Sequence, residues 1–477
     1  MNIIGSFEAI VGKDNVLTDD SVLSVYGGER SFVVYEKPLA VVKVHSGQEA
    51  EAVVNLALQE SIPLVPVSSG GRHTSPASAP SVPGAVIVDL SEMKKIISIN
   101  RAFCIAVIEP GVTYEELLPA LAEEGLTINM PLSPKKNKSV VADLLEVNPR
   151  RNAATQWNYI DPMRCTEVTF GDGNRQFTGE AGGGVLDLEK QQAQGKWQIN
   201  GAGPMMLDFC RILAGSQGTM GIVTWMSVKC EPLETVKKNY VVRADSFDAL
   251  RGFAHEVLKW RFADGLFLLN GEGFRRLVSA DAPAAPWQAV VEIAGREILP
   301  QMRVDQQESD ISDLALKYGL KMFNAENIYG SSLQMALNRN VQSDGAAQNA
   351  ARLFFVTTLA EVQEFESVVN NLAAESGYPA AELGIYVQPL HQGTSVQVEF
   401  WIPFNESSKA AAKTLFDKAS KACAERHGYF ARPYGTWADI AYAKDAESAS
   451  LLSRLYEIFN PKGILNPGKL LAGKNNK

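Results

Sequence analysis

LAGSQGTMGIVTWMSVKCE, residues Leu213 to Glu231, crowds Gly215, Ser216, Gly218, Thr219 and Gly221 into seven positions. A run of β-formers, Ile222 to Val228, follows directly. The pattern predicts a tight glycine turn feeding a strand. Residues without a side chain let the backbone approach a ligand closely and adopt positive φ, so that successive N–H groups converge on a phosphate or on the carbonyl oxygens of a heterocycle. An ordinary turn ahead of a buried strand has the same signature, so the decision rests on the stretches around it.

Working toward the N-terminus, Pro38 precedes a strand at Leu39–Val44, a helical spacing of apolar positions over Gln48–Gln59 and a second strand at Leu64–Val67. This βαβ unit ends in Ser68-Ser69-Gly70-Gly71-Arg72-His73-Thr74-Ser75, glycines and hydroxyls that suit a diphosphate nest. Ala85–Leu90, Ile96–Ile99 and Cys104–Ile108 read as further strands. Glu109-Pro110-Gly111-Val112-Thr113 then turns into a helix over Tyr114–Glu124 with Thr113 as N-cap. Asp161–Phe170 reads as a strand closed by the Gly171–Asn174 hairpin turn, and the polar stretch Gln176–Asn200 reads as a loop.

Beyond Pro232 the character changes. Strands at Lys238–Arg243, Ala263–Leu269, Trp287–Ile293, Leu353–Val356 and Ser395–Phe404 alternate with helices at Ser246–Phe262, Leu299–Tyr318 and Glu361–Glu375. We expect residues 1–232 to form one domain, 233–440 a second, and 441–477 a segment that returns to the first. A chain of 477 residues exceeds the roughly 250–300 at which single cores stop growing.

Composition excludes several classes. A formal net charge of −9 argues against non-specific nucleic-acid binding. No apolar run approaches the roughly 20 residues of a membrane span, and the N-terminus lacks a signal-peptide pattern, which makes the cytoplasm the expected location. The five cysteines, Cys104, Cys165, Cys210, Cys230 and Cys423, show no C-x-x-C spacing and predict no metal site.

The order of motifs, from the βαβ unit and its Gly-rich turn through VDLSEM, VIEPGVTYEELLPAL and GSQGTMGIVT to the terminal FNPKGILNPGK, resembles the FAD-linked oxidoreductases of the p-cresol methylhydroxylase and vanillyl-alcohol oxidase superfamily. The resemblance covers nearly the whole chain. It implies an α+β fold: an FAD-binding domain of two α+β subdomains, an α/β cap over the substrate, and a C-terminal tail that comes back to the flavin. It also implies that Ser68, Ser69, Gly70, Gly71, Arg72, His73, Thr74 and Ser75 wrap the FAD diphosphate. Pro131 and Ser139 stand where the family has a second flavin-contacting segment, although the usual Gly-rich motif is replaced here by Lys135, Lys136 and Lys138. Gly215, Ser216, Gly218, Thr219, Gly221, Ile222, Val223 and Asn466 complete the cofactor set that the resemblance implies, and Gln217 replaces an acidic residue. Because Arg72 occupies the position at which the covalent branch has histidine, the expected FAD is non-covalent.

The implied activity is oxidation of an alcohol, hydroxy acid or phenol by hydride transfer to FAD, and a general base assists such chemistry. His391 is the base candidate by its near-neutral pKa, with a structural loop histidine as its other reading. Arg432 offers a planar fork for a carboxylate or the flavin edge, Tyr434 a phenolic donor, and Tyr386 an alternative to it. The metal-binding H-x-G-D-G-N-x-H and G-E-H-G motifs of the lactate and glycolate branch are absent. A second reading is a flavin-bearing electron-transfer subunit with an iron–sulfur or cytochrome partner. A homodimer is the expected assembly.

Overall fold

The computed structural model describes residues 2–30, 32–71, 75–182, 186–198, 208–338 and 349–470. Three sheets organise the chain. The first has the strand order Val16–Leu17, Ala40–Lys43, Val86–Asp89, Leu64–Val67. Its last three members are parallel and buried on both faces, and continuous runs of Val, Ile, Leu and Ala suit such positions. The crossover helix Gly47–Glu60 starts where Ser46 Oγ accepts the Glu49 amide, and it buries Ala50, Val53, Val54 and Ala57 against this sheet. The two strands of the expected βαβ unit are not neighbours, because Val86–Asp89 enters between them.

The second sheet runs Arg175–Phe177, Met163–Phe170, Gly221–Lys229, Ile105–Ile108, Ile96–Asn100, all antiparallel. Gly221–Lys229, the strand foreseen after the glycine turn, sits at its centre. Thr113 caps the helix Tyr114–Glu123 in a reciprocal capping box with Glu116. The expected loop at Gln176–Asn200 holds structure of its own, namely the end of Arg175–Phe177, a helical turn at Gly179–Ala181 and the helix Leu188–Ala193, nucleated by Asp187 at its N-cap.

The third sheet has seven antiparallel strands in the order Lys321–Asn324, Val236–Ala244, Trp287–Gly295, Gly265–Asn270, Gly384–Leu390, Ser395–Phe404, Asn349–Thr357. One face carries the helices Phe247–Trp260, Pro300–Lys317, Val362–Glu375 and Lys409–Glu425, packed into the molecule's largest apolar core. The polar stretch Tyr386–Thr394, expected to lead into the next strand, is instead largely a strand, buried along its whole length between two hydrogen-bonded neighbours. Its glutamine and proline hide a pattern that only the sheet makes plain.

The chain end returns to the first sheet. Leu64 donates its amide to Ile464 O at 2.7 Å, Asn466 donates its own to Leu64 O at 2.7 Å, and Leu465 is fully buried. Asn460 Nδ2 bridges Thr219 O at 2.9 Å and Leu465 O at 3.1 Å, which ties this tail to the glycine turn. Among the described residues no helix is long and apolar enough to cross a membrane.

Candidate active site

A cavity of about 2000 Å³ opens where the loops of the first two sheets meet the face of the third on which the short helix Gly271–Leu277 packs. Its first wall is backbone. Ser68, Ser69, Gly70 and Gly71 follow the strand Leu64–Val67, and Gly215 to Gly218 precede the central strand of the second sheet. Gly215, Gln217 and Gly218 have φ of 73°, 56° and 73°, and Gly71 has 72°. A Cβ on Gly218 would stand 2.6 Å from Pro66 Cγ, and one on Gly71 would stand 2.9 Å from Asn137 Nδ2. Glycine is therefore required at Gly218 by backbone and space together and favoured at Gly71 by its backbone.

Gln217 anchors this wall to the second. Its Nε2 donates to Pro433 O at 2.7 Å, and its carbonyl accepts from Asn466 Nδ2 at 2.6 Å. Asn466 Nδ2 also donates to Ala77 O at 2.8 Å, so a single tail residue joins the two loops of this wall. Among the described residues, buried Gln217 Oε1 and Asn466 Oδ1 have no protein donor.

The second wall is made of side chains on three strands. Arg352 and Phe354 from Asn349–Thr357, Tyr386 from Gly384–Leu390, and Gln397, Glu399 and Trp401 from Ser395–Phe404 face the cavity. Leu353, Phe355, Ile385, Val398 and Phe400 enter the core behind them. The alternation is the period of two of a pleated strand. Arg432 and Tyr434 complete the wall. Arg432 is 7 % exposed, donates Nη2 to Gln397 Oε1 at 2.9 Å and Nη1 to Asn148 Oδ1, and lies 4.2 Å from the centre of the Phe354 ring. Glu399, 1 % exposed, accepts from Trp401 Nε1 at 2.6 Å, Gln397 Nε2 at 3.4 Å and Arg352 Nε.

Asn148 carries the connection into the second sheet's core. Its Nδ2 donates to Asp143 Oδ1 at 2.7 Å. Burial pushes the Asp143 carboxyl up, but Arg150 at 2.8 Å, with Lys138 and the Tyr114 hydroxyl, holds it below the ordinary carboxylate range. Burial pushes the Tyr434 hydroxyl up to about 12, the Glu146 charge adds to this, and Arg432 and Ser75 pull the other way. Tyr386 is raised well above its ordinary value by burial and by Glu399, and its hydroxyl donates to Gln388 Oε1 at 2.7 Å. Both phenols are therefore neutral donors near pH 7.

Of the residues singled out in the sequence, Arg432, Tyr434, Tyr386, Ser68, Ser69, Gly70, Gly71 and Ser75 line this one cavity. So do Pro131, Gly215, Ser216, Gly218, Gly221 and Val223. Arg72, His73 and Thr74 lie outside the described residues. Ser139, Thr219, Ile222 and Asn466 stand behind the lining. Ser139 Oγ caps the helix Val140–Leu145 and accepts from Ser68 Oγ at 3.1 Å. Thr219 Oγ1 donates to Ser216 O at 2.7 Å, while Ile222 is fully buried in the core of the first sheet. His391 is not on the cavity. It begins the turn after Gly384–Leu390, about 16 Å along the strand from Tyr386 at ~3.3 Å per residue. Its Nδ1 is 3.4 Å from Ser395 Oγ. Arg352, Gln397, Glu399 and Asn148 were missed in the sequence. The polar-apolar alternation of Ser395–Phe404, which puts Gln397 and Glu399 on one face, was the available signal for two of them.

The residues fit FAD. The cavity exceeds the roughly 300–1,000 Å³ of most ligand clefts, a Cβ at Gly218 would collide with Pro66, and among the described residues Gln217 Oε1 on its lining has no donor. Known proteins share parts of this sequence and its fold. An FAD-binding-domain family model matches residues 38–140. The flavoprotein subunit of 4-cresol dehydrogenase [hydroxylating] from Pseudomonas putida is 28 % identical over 261 residues, which are 52 % of this chain and 47 % of that protein. The fold matches that of p-cresol methylhydroxylase with a TM-score of 0.82 at 17 % identity, covering 100 % of this chain and 97 % of the other. The chain is similar in sequence to FAD-linked oxidoreductases and shares the fold of the p-cresol methylhydroxylase-type flavoproteins. A D-2-hydroxyglutarate dehydrogenase from Stutzerimonas stutzeri is also similar, 22 % identical over 98 % of this flavoprotein and 99 % of its own length. Among the described residues no group of three or more His, Cys, Asp or Glu side chains is placed to hold a metal ion.

Proposed function

We propose that this flavoprotein oxidises an alcohol, hydroxy acid or phenol. Residues 1–232 and the returning tail 441–477 would hold FAD non-covalently, and residues 233–440 would cap the substrate. The observation that carries the reading is the pairing of two unlike walls across one cavity: a glycine cradle, and a strand face bearing Glu399 and Tyr386 that Arg432 and Tyr434 complete from the segment ahead of the helix Thr436–Lys444. FAD, when bound, supplies the two-electron acceptor for the substrate's hydride. The backbone of Ser68–Gly71 and Gly215–Gly218 would hold it. Arg432, buried and hydrogen-bonded only to the neutral Gln397 and Asn148, keeps a positive charge on the wall that favours negative charge developing in the cavity. Tyr434 keeps its proton and orients an oxygen by donating to it. The Phe354 and Trp401 rings exclude water beside these groups.

An anaerobic spectrum of the holoprotein, recorded while alcohols, hydroxy acids and phenols are added in turn, tests the reading. Bleaching of the flavin band by one class supports it. A yellow protein that no compound bleaches, but that a reduced iron–sulfur protein or cytochrome reduces, removes it in favour of an electron-transfer subunit. The second outcome has a specific motive, since the Pseudomonas relative is itself named a flavoprotein subunit. The expected cytoplasmic setting is in keeping with five cysteines that are all free, and the expected homodimer rests on the resemblance alone. Acid precipitation that leaves the flavin in the supernatant would support non-covalent attachment, and yellow pelleted protein would oppose it.

A further inference from the structure

We propose that Arg352 is the anion-binding subsite of the cap wall, and that the substrate of this protein carries a carboxylate or a group of equivalent charge beside an aromatic or similarly flat body. The inference rests on the proposed oxidase or dehydrogenase reading and names the substrate class that it leaves open.

Arg352 Nε is committed to Glu399 Oε1, which Trp401 Nε1 holds from the other side. Among the described residues the two terminal guanidinium nitrogens of Arg352 have no protein acceptor. The side chain lines the cavity with 63 % of its surface accessible, whereas its partner Glu399 is 1 % exposed. One edge of the guanidinium is thus fixed by a buried carboxylate and the other is presented as a planar two-donor fork, the geometry that recognises a carboxylate or phosphate bidentately. The charge balance points the same way. Arg352 and Arg432 share the carboxylate of Glu399 on this stretch of wall, while the Glu146 carboxylate that also reaches the cavity is paired with Lys138 at 2.6 Å. Among the described residues buried Arg432 bonds to neutral acceptors, a costly state for a buried cation that a bound anion nearby relieves. Tyr386 and Trp401 stand with their ring centres 6.2 Å apart and 29° between planes, and Phe354 lies two residues along the strand from Arg352, so the body of the ligand meets flat apolar surfaces.

The test is calorimetric titration of the FAD-loaded protein with benzoate and with benzamide, its uncharged counterpart, so that no turnover is needed. Benzoate is expected to bind at least about tenfold tighter than benzamide, and Arg352→Met to remove that preference while leaving benzamide affinity and flavin content unchanged. Arg352→Lys, which keeps the charge without the fork, should recover only part of it. Equal affinities, no binding of benzoate, or a preference that survives Arg352→Met would overturn the proposal. The two readings fail separately. A benzoate preference that depends on Arg352 in a protein no compound bleaches keeps the subsite and removes the oxidase reading. Bleaching by neutral alcohols, in a protein indifferent to benzoate, does the reverse.

Discussion

The two walls of the cavity solve the same problem, holding polar ligand atoms away from bulk water, by opposite means. On the flavin side the groups that matter are backbone, and identity is dictated by what a side chain would collide with: Gly218 against Pro66, Gly71 against Asn137. On the cap side they are long side chains, and identity is dictated by which face of a strand they leave from: Arg352, Gln397 and Glu399 face the cavity while their immediate neighbours fill the core. A backbone site tolerates no added atoms, yet it discriminates little between ligands that present the same phosphates. A side-chain site can change its ligand by one substitution and keep its fold. In the proposed reading the glycine wall that would hold the flavin is therefore the fixed half of the molecule, and the strand wall that would meet the substrate the adjustable half.

The strongest way to break that contrast is to put a side chain into the cradle. Gly218→Val introduces a Cβ 2.6 Å from Pro66 at a residue with φ of 73°. The left-handed backbone alone costs about 1–2 kcal/mol for a residue with a Cβ, before the collision is added. The expected result is protein purified with less than about a tenth of the normal flavin, read as the ratio of flavin to protein absorbance. A fully yellow Gly218→Val protein would mean that this turn does not hold the cofactor.

That asymmetry also explains what could be read in advance. A glycine turn is a local event, so GSQGTMGIVT and SSGGRHTS announce themselves by composition, and the capping box at Thr113 and Glu116 is likewise complete within four residues. The cap wall is assembled from strands 352, 386 and 399 residues into the chain, and its meaning lies in their register: Tyr386 pairs with Glu399, and Arg352 with Trp401. Nothing local announces a register. Gln388 and Pro389 interrupt the β pattern of Gly384–Leu390, yet Gln388 is fully buried with its Nε2 donated to Leu266 O at 3.0 Å. His391 attracted attention for its chemistry, and the extended strand then carries it beyond the cavity's reach.

The next test strikes the joint between the walls. Arg432→Met deletes the buried cation and strands Gln397 Oε1 and Asn148 Oδ1 without their donor. Loss of a preorganised charge at a reacting centre typically costs about 100-fold or more, so kcat/KM should fall roughly 100-fold with flavin content retained. A drop in melting temperature with unchanged kinetics would instead make Arg432 a structural strut. A finer probe is the double-mutant cycle of Asn148→Ala and Gln397→Ala. The two side chains share Arg432, so their effects on kcat/KM should miss additivity by about 0.5–3 kcal/mol. Strict additivity would show that each side chain acts alone.

The smallest effect is expected at His391, and its smallness is the point. Burial lowers the His391 pKa below 6.5, with Asp161 opposing weakly. Between the lowered folded value and about 6.5 the unfolded chain binds a proton that the folded chain does not, so unfolding gains on acidification. The stability that His391 contributes is present above pH 6.5 and drains away as pH falls through its folded pKa. His391→Asn should therefore flatten the acid limb of a denaturation-midpoint profile measured between about pH 5 and 7. It should leave kcat/KM within about twofold, because a residue outside the cavity has no proton to exchange with substrate. If the same variant instead abolished one limb of the kcat/KM profile, the catalytic proton would be leaving by a route along the hairpin from Tyr386 toward its turn, and the cap wall would be longer than the cavity that defines it.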